Sequence, residues 1–294
     1  MSYSCKRITT SRRRFVLSSA ALLLAPKASF AQKPRKSAIR FGLTPVFLND
    51  DLQLLSVIRT YLEAATGYKI DLTTRRTYQE VTALLISGQL DAAWICGYPF
   101  VKYRTELDLV AVPQWNGKPL YQSYLITKTD RNVTELSDLA GDIHAFSDPN
   151  SNSGYLVTMA LLHKNELNSE TFFEKTLFTY SHRNVIRAVA SGLVQSGSVD
   201  GYIWEIMREI DPDLVAKTKI IRKSEWFGFP PIATSRQFAD SPKIKALKAA
   251  FLASNNTEDG RAMLNYLRLS GFTQAPSSLF DPVAQNLKSL KGVL

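Results

Sequence analysis

The sequence predicts an α/β fold of two lobes joined by two hinge crossings, on three observations. Strand-like runs alternate with amphipathic helical runs from Ile39 onward, the pattern of units that lay helices on a parallel sheet. That alternation pauses at a long extended segment, residues 121–127, and then starts again. A Pro-rich return at residues 228–231 lies opposite the outbound crossing near residues 124–127, so the chain leaves a first lobe once and re-enters it once. The first lobe is expected at 38–126 plus 229–294 and the second at 127–228. The chain's 294 residues, 45% of them hydrophobic, suffice for two cores and argue against disorder.

The first 31 residues stand apart from that fold. Ser11-Arg12-Arg13-Arg14-Phe15-Val16-Leu17 has the form of a twin-arginine export motif, an apolar run follows over residues 16–24, and small residues lead to Ala31. Residues 1–31 are read as a twin-arginine signal peptide that delivers the mature chain to the periplasm. A membrane anchor is excluded, because the apolar run is about half of the roughly 20 residues a bilayer-spanning helix needs. The segment holds six basic residues and no acid, so its removal lowers the net charge from +10 to +4. Mixed-sign charge without a basic cluster argues against nucleic-acid binding. Cys5 leaves with the signal, and Cys96 then has no disulfide partner. His144, His163 and His182 lack metal-ligand spacing, so neither a metal nor another cofactor is implied.

The mature elements follow in order. Ile39, Phe41 and Leu43 alternate as a first strand, and Asn49 or Asp50 caps a helix with Leu52, Leu55, Ile58 and Leu62 on one face. Tyr68, Ile70 and Leu72 form the next strand, and Thr77-Tyr78-Gln79-Glu80 is a capping box for a helix through Val81, Leu84 and Leu85. Residues 91–100 read as a buried strand that breaks at Gly97 and Pro99, residues 107–112 as another, and residues 113–119 as a turn-rich excursion. In the second lobe a strand at 143–146 runs through a polar turn into a helix starting near Tyr155. Residues 177–180 form a strand, Ser181 or Asn184 starts a helix with Val185, Ala188, Val189 and Leu193 inward, and residues 199–204 form a strand. Residues 219–222 close the lobe. Helices near 242–253 and 257–267 finish the chain and dock on the first lobe.

The turn at residues 147–156, Ser-Asp-Pro-Asn-Ser-Asn-Ser-Gly-Tyr-Leu, is the first candidate site. A small-residue turn between strand and helix aims hydroxyls and backbone N–H groups at one point, with the positive end of the helix dipole behind them, which suits an oxyanion. Plain helix capping by Ser151 or Ser153 is the competing reading. Cys96, Gly97 and Tyr98 lie at the carboxyl end of a strand, where open parallel sheets bind ligands. Cys96 reads equally as a small core hydrophobe and Tyr98 as packing between lobes. For His182, capping its own helix competes with ligand contact. A Cys96 nucleophile with a His182 base lacks an evident oxyanion hole and a third group to orient the histidine, so an enzyme is not expected.

Five segments together resemble the phosphonate- and phosphite-binding branch of the periplasmic substrate-binding proteins of ABC importers. They are Asp91-Ala-Ala-Trp-Ile-Cys-Gly-Tyr-Pro-Phe, Pro119-Leu-Tyr-Gln-Ser-Tyr-Leu-Ile, the turn at 147–156, Thr179-Tyr-Ser-His-Arg-Asn-Val-Ile-Arg-Ala-Val-Ala-Ser-Gly and Val199-Asp-Gly-Tyr-Ile-Trp-Glu. The resemblance implies a type II periplasmic-binding-protein fold that closes on a small oxyanion of the phosphonate, phosphite or phosphate type. It also implies a monomer that delivers its ligand to an ABC permease. It implies that Ser151, Asn152, Ser153 and Gly154 wrap the head group, that His182 reaches the same oxygens, and that Tyr98, Tyr121, Trp204 and Glu205 wall the rest of the ligand. Cys96 departs from a plain phosphonate binder. A similar branch, the periplasmic arsenite-sensing proteins, binds through a thiol and signals to a membrane sensor kinase, and there Cys96 would hold arsenic. Arsenite is uncharged near neutrality, so a sulfur bond would have to supply its affinity. The turn and the thiol thus predict different ligands, with the oxyanion first and arsenite second.

Overall fold

The computed structural model describes residues 37–46, 52–168 and 170–290. The signal segment and the expected cap at Asn49 or Asp50 lie outside them.

An apolar strand, β1 (Ile39–Leu43), founds the first sheet and is followed by α1 (Leu52–Thr66), β2 (Ile70–Thr74), α2 (Tyr78–Ile86) and β3 (Ala92–Trp94). β1 pairs in parallel with β2 on one side and β3 on the other, so the strand order reverses at β1. Carboxyl ends flanking such a reversal open a crevice, and here they carry Thr44 and Cys96. The predicted capping box is present: Thr77 Oγ1 accepts from Glu80 N at 3.2 Å, and Thr77 N donates to Glu80 Oε2 at 2.9 Å. It fixes Tyr78 as the first residue of α2. α3 (Gly97–Lys102) and β4 (Leu107–Gln114) complete the outbound half.

The crossing is short. β5 (Leu120–Tyr121) belongs to neither large sheet, and β6 (Ser123–Lys128) is already in the second sheet, with β7 (Ile143–Phe146), α4 (Val157–Lys164), β8 (Lys175–Phe178), α5 (His182–Ser191), β9 (Ser196–Asp200), α6 (Gly201–Ile210), α7 (Pro212–Val215) and β10 (Thr218–Lys223) following. The second sheet has the order β10-β6-β9-β7-β8, with β7 parallel to β8 and β9. β11 (Phe227–Gly228) returns antiparallel to β5. The return crossing therefore sits where expected. The outbound one lies at Leu120 and Tyr121, because residues 124–127 pair with both β9 and β10 inside the second sheet.

β12 (Ile232–Ser235) re-enters the first sheet between β3 and β4, and α8 (Pro242–Leu252), α9 (Glu258–Leu267), β13 (Gly271–Thr273) and α10 (Asp281–Ser289) follow. α8 and α9 pack on α1 and α10 packs on α3, so the final helices cover the first lobe as expected. β13 and α10, absent from the sequence expectation, extend that cover. A second correction concerns residues 199–204, expected as a strand. β9 ends at Asp200, whose carboxylate caps α6 by accepting from Tyr202 N at 2.9 Å. Gly201 lets the turn pass where a Cβ would lie 2.7 Å from the Tyr124 ring.

Candidate functional site

Three strands of the second sheet and two segments of the first lobe converge on one buried region. β7 delivers Ser147 and Asp148 at its carboxyl end, the turn after β8 delivers Ser181 and His182, and β9 ends on Asp200. The polar turn itself becomes a π-helical turn (Asn152–Leu156) that runs into α4, so helical structure starts three residues before the expected Tyr155. Ser151 is its cap: the hydroxyl accepts from Gly154 N at 3.0 Å. Gly154 is required here, since a Cβ would lie 1.9 Å from Ser147 Oγ and 2.9 Å from His182 Cε1.

The facing wall comes from α2 and the end of β3. Tyr78 N donates to Asp148 Oδ2 at 3.1 Å, and Asn152 N donates to Cys96 Sγ at 3.2 Å. Asp200 N donates to His182 Nδ1 at 3.0 Å, which makes that nitrogen the acceptor and places the ring hydrogen on Nε2. Nε2 then donates to Tyr78 Oη, 3.3 Å away, and the phenolic hydrogen of Tyr78 is left to point elsewhere. From the hinge, Tyr121 Oη accepts from Asn152 Nδ2 at 3.0 Å. Ser153 joins this set through its carbonyl, which accepts from Ser123 Oγ at 2.6 Å.

Amid these pairs, Ser147 Oγ, Asn152 Oδ1 and Ser181 Oγ are buried without a hydrogen-bond partner. Buried polar atoms are nearly always paired, so three orphans in one region describe a site shaped for a polar guest.

The electrostatics suit a guest held by neutral donors. Burial pushes the phenols of Tyr78 and Tyr121 well above their ordinary value, so both remain O–H donors. His182 is pushed down to about 3 by burial and stays neutral, with its one hydrogen on the cleft side. Burial raises Asp148, and it raises Asp200 to about 7 despite the amides of Ile203 and Tyr202. Burial also carries the Cys96 thiol to about 11, so it is a thiol and not a thiolate at neutral pH.

Of the residues expected from the sequence, Cys96, Tyr121, Asn152, Ser153, Gly154 and His182 are brought together. Ser151 lies in the same turn with its hydroxyl committed to the cap. Tyr98 lies two residues after Cys96 in the first turn of α3, beside the cluster, with its side chain buried. Gly97 instead faces Phe280 and Val283, packed under α10. Trp204 and Glu205 lie elsewhere in the second lobe, because α6 has replaced the expected strand. Trp204 Nε1 donates to Thr218 Oγ1 at 3.1 Å, while Glu205 pairs with Arg208 at 2.8 Å and accepts from Tyr124 Oη at 3.1 Å.

Tyr78, Ser181 and Asp200 were missed as site residues, and Ser147 lay inside the expected turn without being singled out. Each carried a legible signal: Tyr78 opens the helix that the capping box starts, Ser147 and Asp200 sit at the carboxyl ends of strands, and Ser181 lies in the turn after one.

The chain matches the profile of the phosphonate periplasmic substrate-binding proteins of ABC transporters over residues 41–280. A phosphate-import protein, PhnD, of Mycolicibacterium smegmatis is 27% identical over 196 residues, which cover 60% of this chain and 61% of that protein. The chain thus spans about three fifths of that relative's length. A binding-protein component of an ABC phosphonate transporter from Pseudomonas aeruginosa superposes with a TM-score of 0.78 at 22% identity, covering 85% of each chain. PhnD1 of Prochlorococcus marinus, solved with methylphosphonate, superposes equally well, at 0.78 and 17% identity, covering 86% of this chain and 98% of its own. These likenesses establish the two-lobed fold.

Proposed function

Since the chain belongs to the periplasmic substrate-binding proteins of phosphonate ABC transporters, a family of transporter components and not of enzymes, we propose that it captures a phosphorus oxyanion in the inter-lobe cluster and delivers it to an ABC permease. The observation that carries this reading is the trio of orphaned buried atoms, Ser147 Oγ, Asn152 Oδ1 and Ser181 Oγ, set among the hydroxyls of Tyr78, Tyr121 and Ser153 and the Nε2–H of His182. Four hydroxyl donors whose hydrogens are uncommitted, those of Tyr78, Tyr121, Ser147 and Ser181, meet the oxygens of a phosphonate, phosphite or phosphate. Each charge-assisted bond offsets lost hydration by roughly 1.5–3 kcal/mol. Asn152 Oδ1 can only accept, and Asp200 is a half-protonated acid near neutrality. The site therefore favours an oxyanion that keeps a P–OH for such an acceptor.

The lobes, 38–126 with 229–294 and 127–228 to within the few residues of the β5–β11 ladder, close on the ligand about that ladder. Contacts from Tyr78 to Asp148 and His182 and from Asn152 to Cys96 already bridge the two walls, and closure is what a permease reads. We further propose that the chain works as a monomer and that residues 1–31 direct twin-arginine export. The arsenite-sensor reading gains nothing from the comparisons, and a thiol raised to about 11 is a poor arsenic ligand at neutral pH.

A thermal-shift panel of phosphorus, sulfur and arsenic oxyanions on the mature chain tests the proposal. Phosphonate, phosphite or phosphate should raise Tm, and Ser153→Ala should remove the rise. A rise with arsenite alone, lost in Cys96→Ser, would refute it.

A further inference from the structure

A second crevice between the lobes shares no lining residue with the oxyanion cluster. Leu54 of α1, with Tyr266, Leu267 and Arg268 at the end of α9, forms its first-lobe wall, and Arg183 of α5 with Ile206 and Ile210 of α6 forms the other. Its volume is about 160 Å³. An apolar cavity of roughly 150 Å³ admits a benzene ring, so the crevice has room for a body of that size. Bonds between the lobes border it: Tyr202 Oη donates to the Leu267 carbonyl at 2.5 Å, and Arg268 Nε donates to Glu209 Oε2 at 3.2 Å. Because the two walls belong to different lobes, parting the lobes would pull the crevice open.

Its chemistry is divided. Leu54, Ile206 and Leu267 are buried and apolar, whereas Arg183 and Arg268 bring two guanidiniums and, among the described lining residues, no carboxylate faces them. Arg268 is committed, through Nε to Glu209 and through one Nη to the carbonyls of Asn265 and Tyr266. Arg183 holds its Nε buried without a hydrogen-bond partner. Buried donors are nearly always paired, so a cationic donor left open beside an apolar wall calls for an anionic acceptor that carries apolar surface with it.

We propose that this crevice is a second ligand site, taking a small monocarboxylate whose apolar body is about the size of a benzene ring, and that its occupant holds the lobes closed. The carboxylate accepts from the Arg183 guanidinium, and the body covers Leu54, Ile206 and Leu267. A bare phosphate would set its oxygens against those apolar side chains, and a neutral ring would leave the Arg183 nitrogen unpaired. An occupant that touches both walls binds the closed arrangement better than the open one, and by linkage it tightens capture of the oxyanion by the factor by which the oxyanion tightens it. That coupling rests on the oxyanion reading of the cluster; the second site does not.

Titration calorimetry of the mature chain with benzoate, benzamide and acetate tests the site, and titration with methylphosphonate, with and without saturating benzoate, tests the coupling. Benzoate should bind roughly tenfold or more tighter than benzamide, which lacks the charge, and than acetate, which lacks the body. Arg183→Gln should weaken benzoate by roughly tenfold and leave methylphosphonate alone at its wild-type affinity. Ile210→Glu, at a position 54% exposed and so harmless to the core, sets a like charge at the mouth and should weaken benzoate too. Saturating benzoate should tighten methylphosphonate about fivefold. Benzoate affinity untouched by both variants, or matched by benzamide or acetate, overturns the second site while the oxyanion reading stands. Benzoate that weakens methylphosphonate competes for the cluster itself and overturns the proposal as well. Methylphosphonate that fails to bind, with benzoate binding that is lost in Arg183→Gln, refutes the oxyanion reading and upholds the second site.

Discussion

The interior of the second sheet and its cleft-facing rim hold the same kinds of residue in opposite conditions. His144, inside, is fully buried, bonds Ser196 Oγ and Ser198 Oγ at 2.8 Å each, and stacks on Phe173 with centroids 4.2 Å apart. Ser198 also bonds Thr158 Oγ1, at 2.6 Å. His182, at the rim, is as buried, and its pKa is depressed to the same value of about 3. Its surroundings include Ser147 Oγ and Ser181 Oγ with no partner, and its Nε2 bonds a tyrosine from the other lobe. Burial and pKa do not separate the two histidines; unsatisfied neighbours and a partner across the cleft do. A polar network completed within one lobe serves the fold, and one left open between lobes waits for a ligand.

The strongest challenge to this contrast is a methyl group. Gly154→Ala puts a Cβ into the orphaned Ser147 hydroxyl and the His182 ring, so the ligand-induced rise in Tm should vanish. In the interior, Gly197→Ala meets Val185 Cγ1 at 2.5 Å and should cost stability, about 1–3 kcal/mol for overpacking, while folded protein still binds. Loss of binding in both, or in neither, would erase the distinction. Calorimetry paired with urea unfolding separates the outcomes.

Exchanging the histidines comes next. His182→Ala should weaken oxyanion binding roughly 10-fold, through loss of the bond that orients the Tyr78 hydroxyl. His144→Ala should leave affinity near wild type yet lower stability by on the order of 3 kcal/mol, for a cavity and two hydroxyls deprived of partners. Equal loss of affinity in both variants would show that the rim is not special.

What the sequence made legible follows the same division. Local periodicity and caps placed most elements: β7 was expected over its observed residues, and the Thr77 capping box was read before any geometry. The turn at 147–156 was legible because small polar residues between strand and helix have a distinctive chemistry. The orphaned atoms were not, since whether Ser147 or Ser181 finds a partner depends on packing between lobes distant in sequence. Trp204 and Glu205 were misplaced for a local reason. Apolar residues flank Asp200-Gly201 on both sides, Val199 before and Tyr202, Ile203 and Trp204 after, so the turn that Asp200 makes as the cap of α6 is concealed. Tyr78 was read as part of a cap and no more, because its reach to His182 crosses 104 positions of sequence.

The pH dependence of stability gives a finer test. Each histidine is neutral in the fold down to about 3, whereas the unfolded side chain takes up a proton below about 6.5. The folded state thus loses stability as pH falls from about 6.5 toward 3, by up to ~1.4 kcal/mol per pH unit per histidine. Asp200 acts in the opposite sense. With its folded pKa raised to about 7 and an unfolded value near 3.9, its contribution is present at low pH and is lost as pH rises from about 4 to 7. Urea unfolding of ligand-free protein between pH 4 and 7 should therefore show a shallower acid limb in both His144→Ala and His182→Ala. In Asp200→Asn the limb should be steeper, with stability gained near pH 7. Both histidine variants sharing one slope while differing in affinity would confirm that titration follows burial and binding follows the open network. An unchanged slope in Asp200→Asn would show that this carboxyl is not protonated in the fold.

The smallest effect is expected at Cys96, the residue whose type most invited a special role. Its thiol accepts the Asn152 amide across the cleft at 3.2 Å, a task a hydroxyl performs as well. Burial holds it protonated at neutral pH, which leaves little thiolate for arsenic or alkylating agents. Cys96→Ser should change oxyanion affinity by no more than about threefold, within the spread of a single neutral hydrogen bond, and the wild-type thiol should react with iodoacetamide far more slowly when folded than in urea. A large loss of phosphonate binding in the serine variant would move Cys96 from the wall of the site to its centre. The walls would then no longer divide into a second lobe that binds and a first lobe that closes over it.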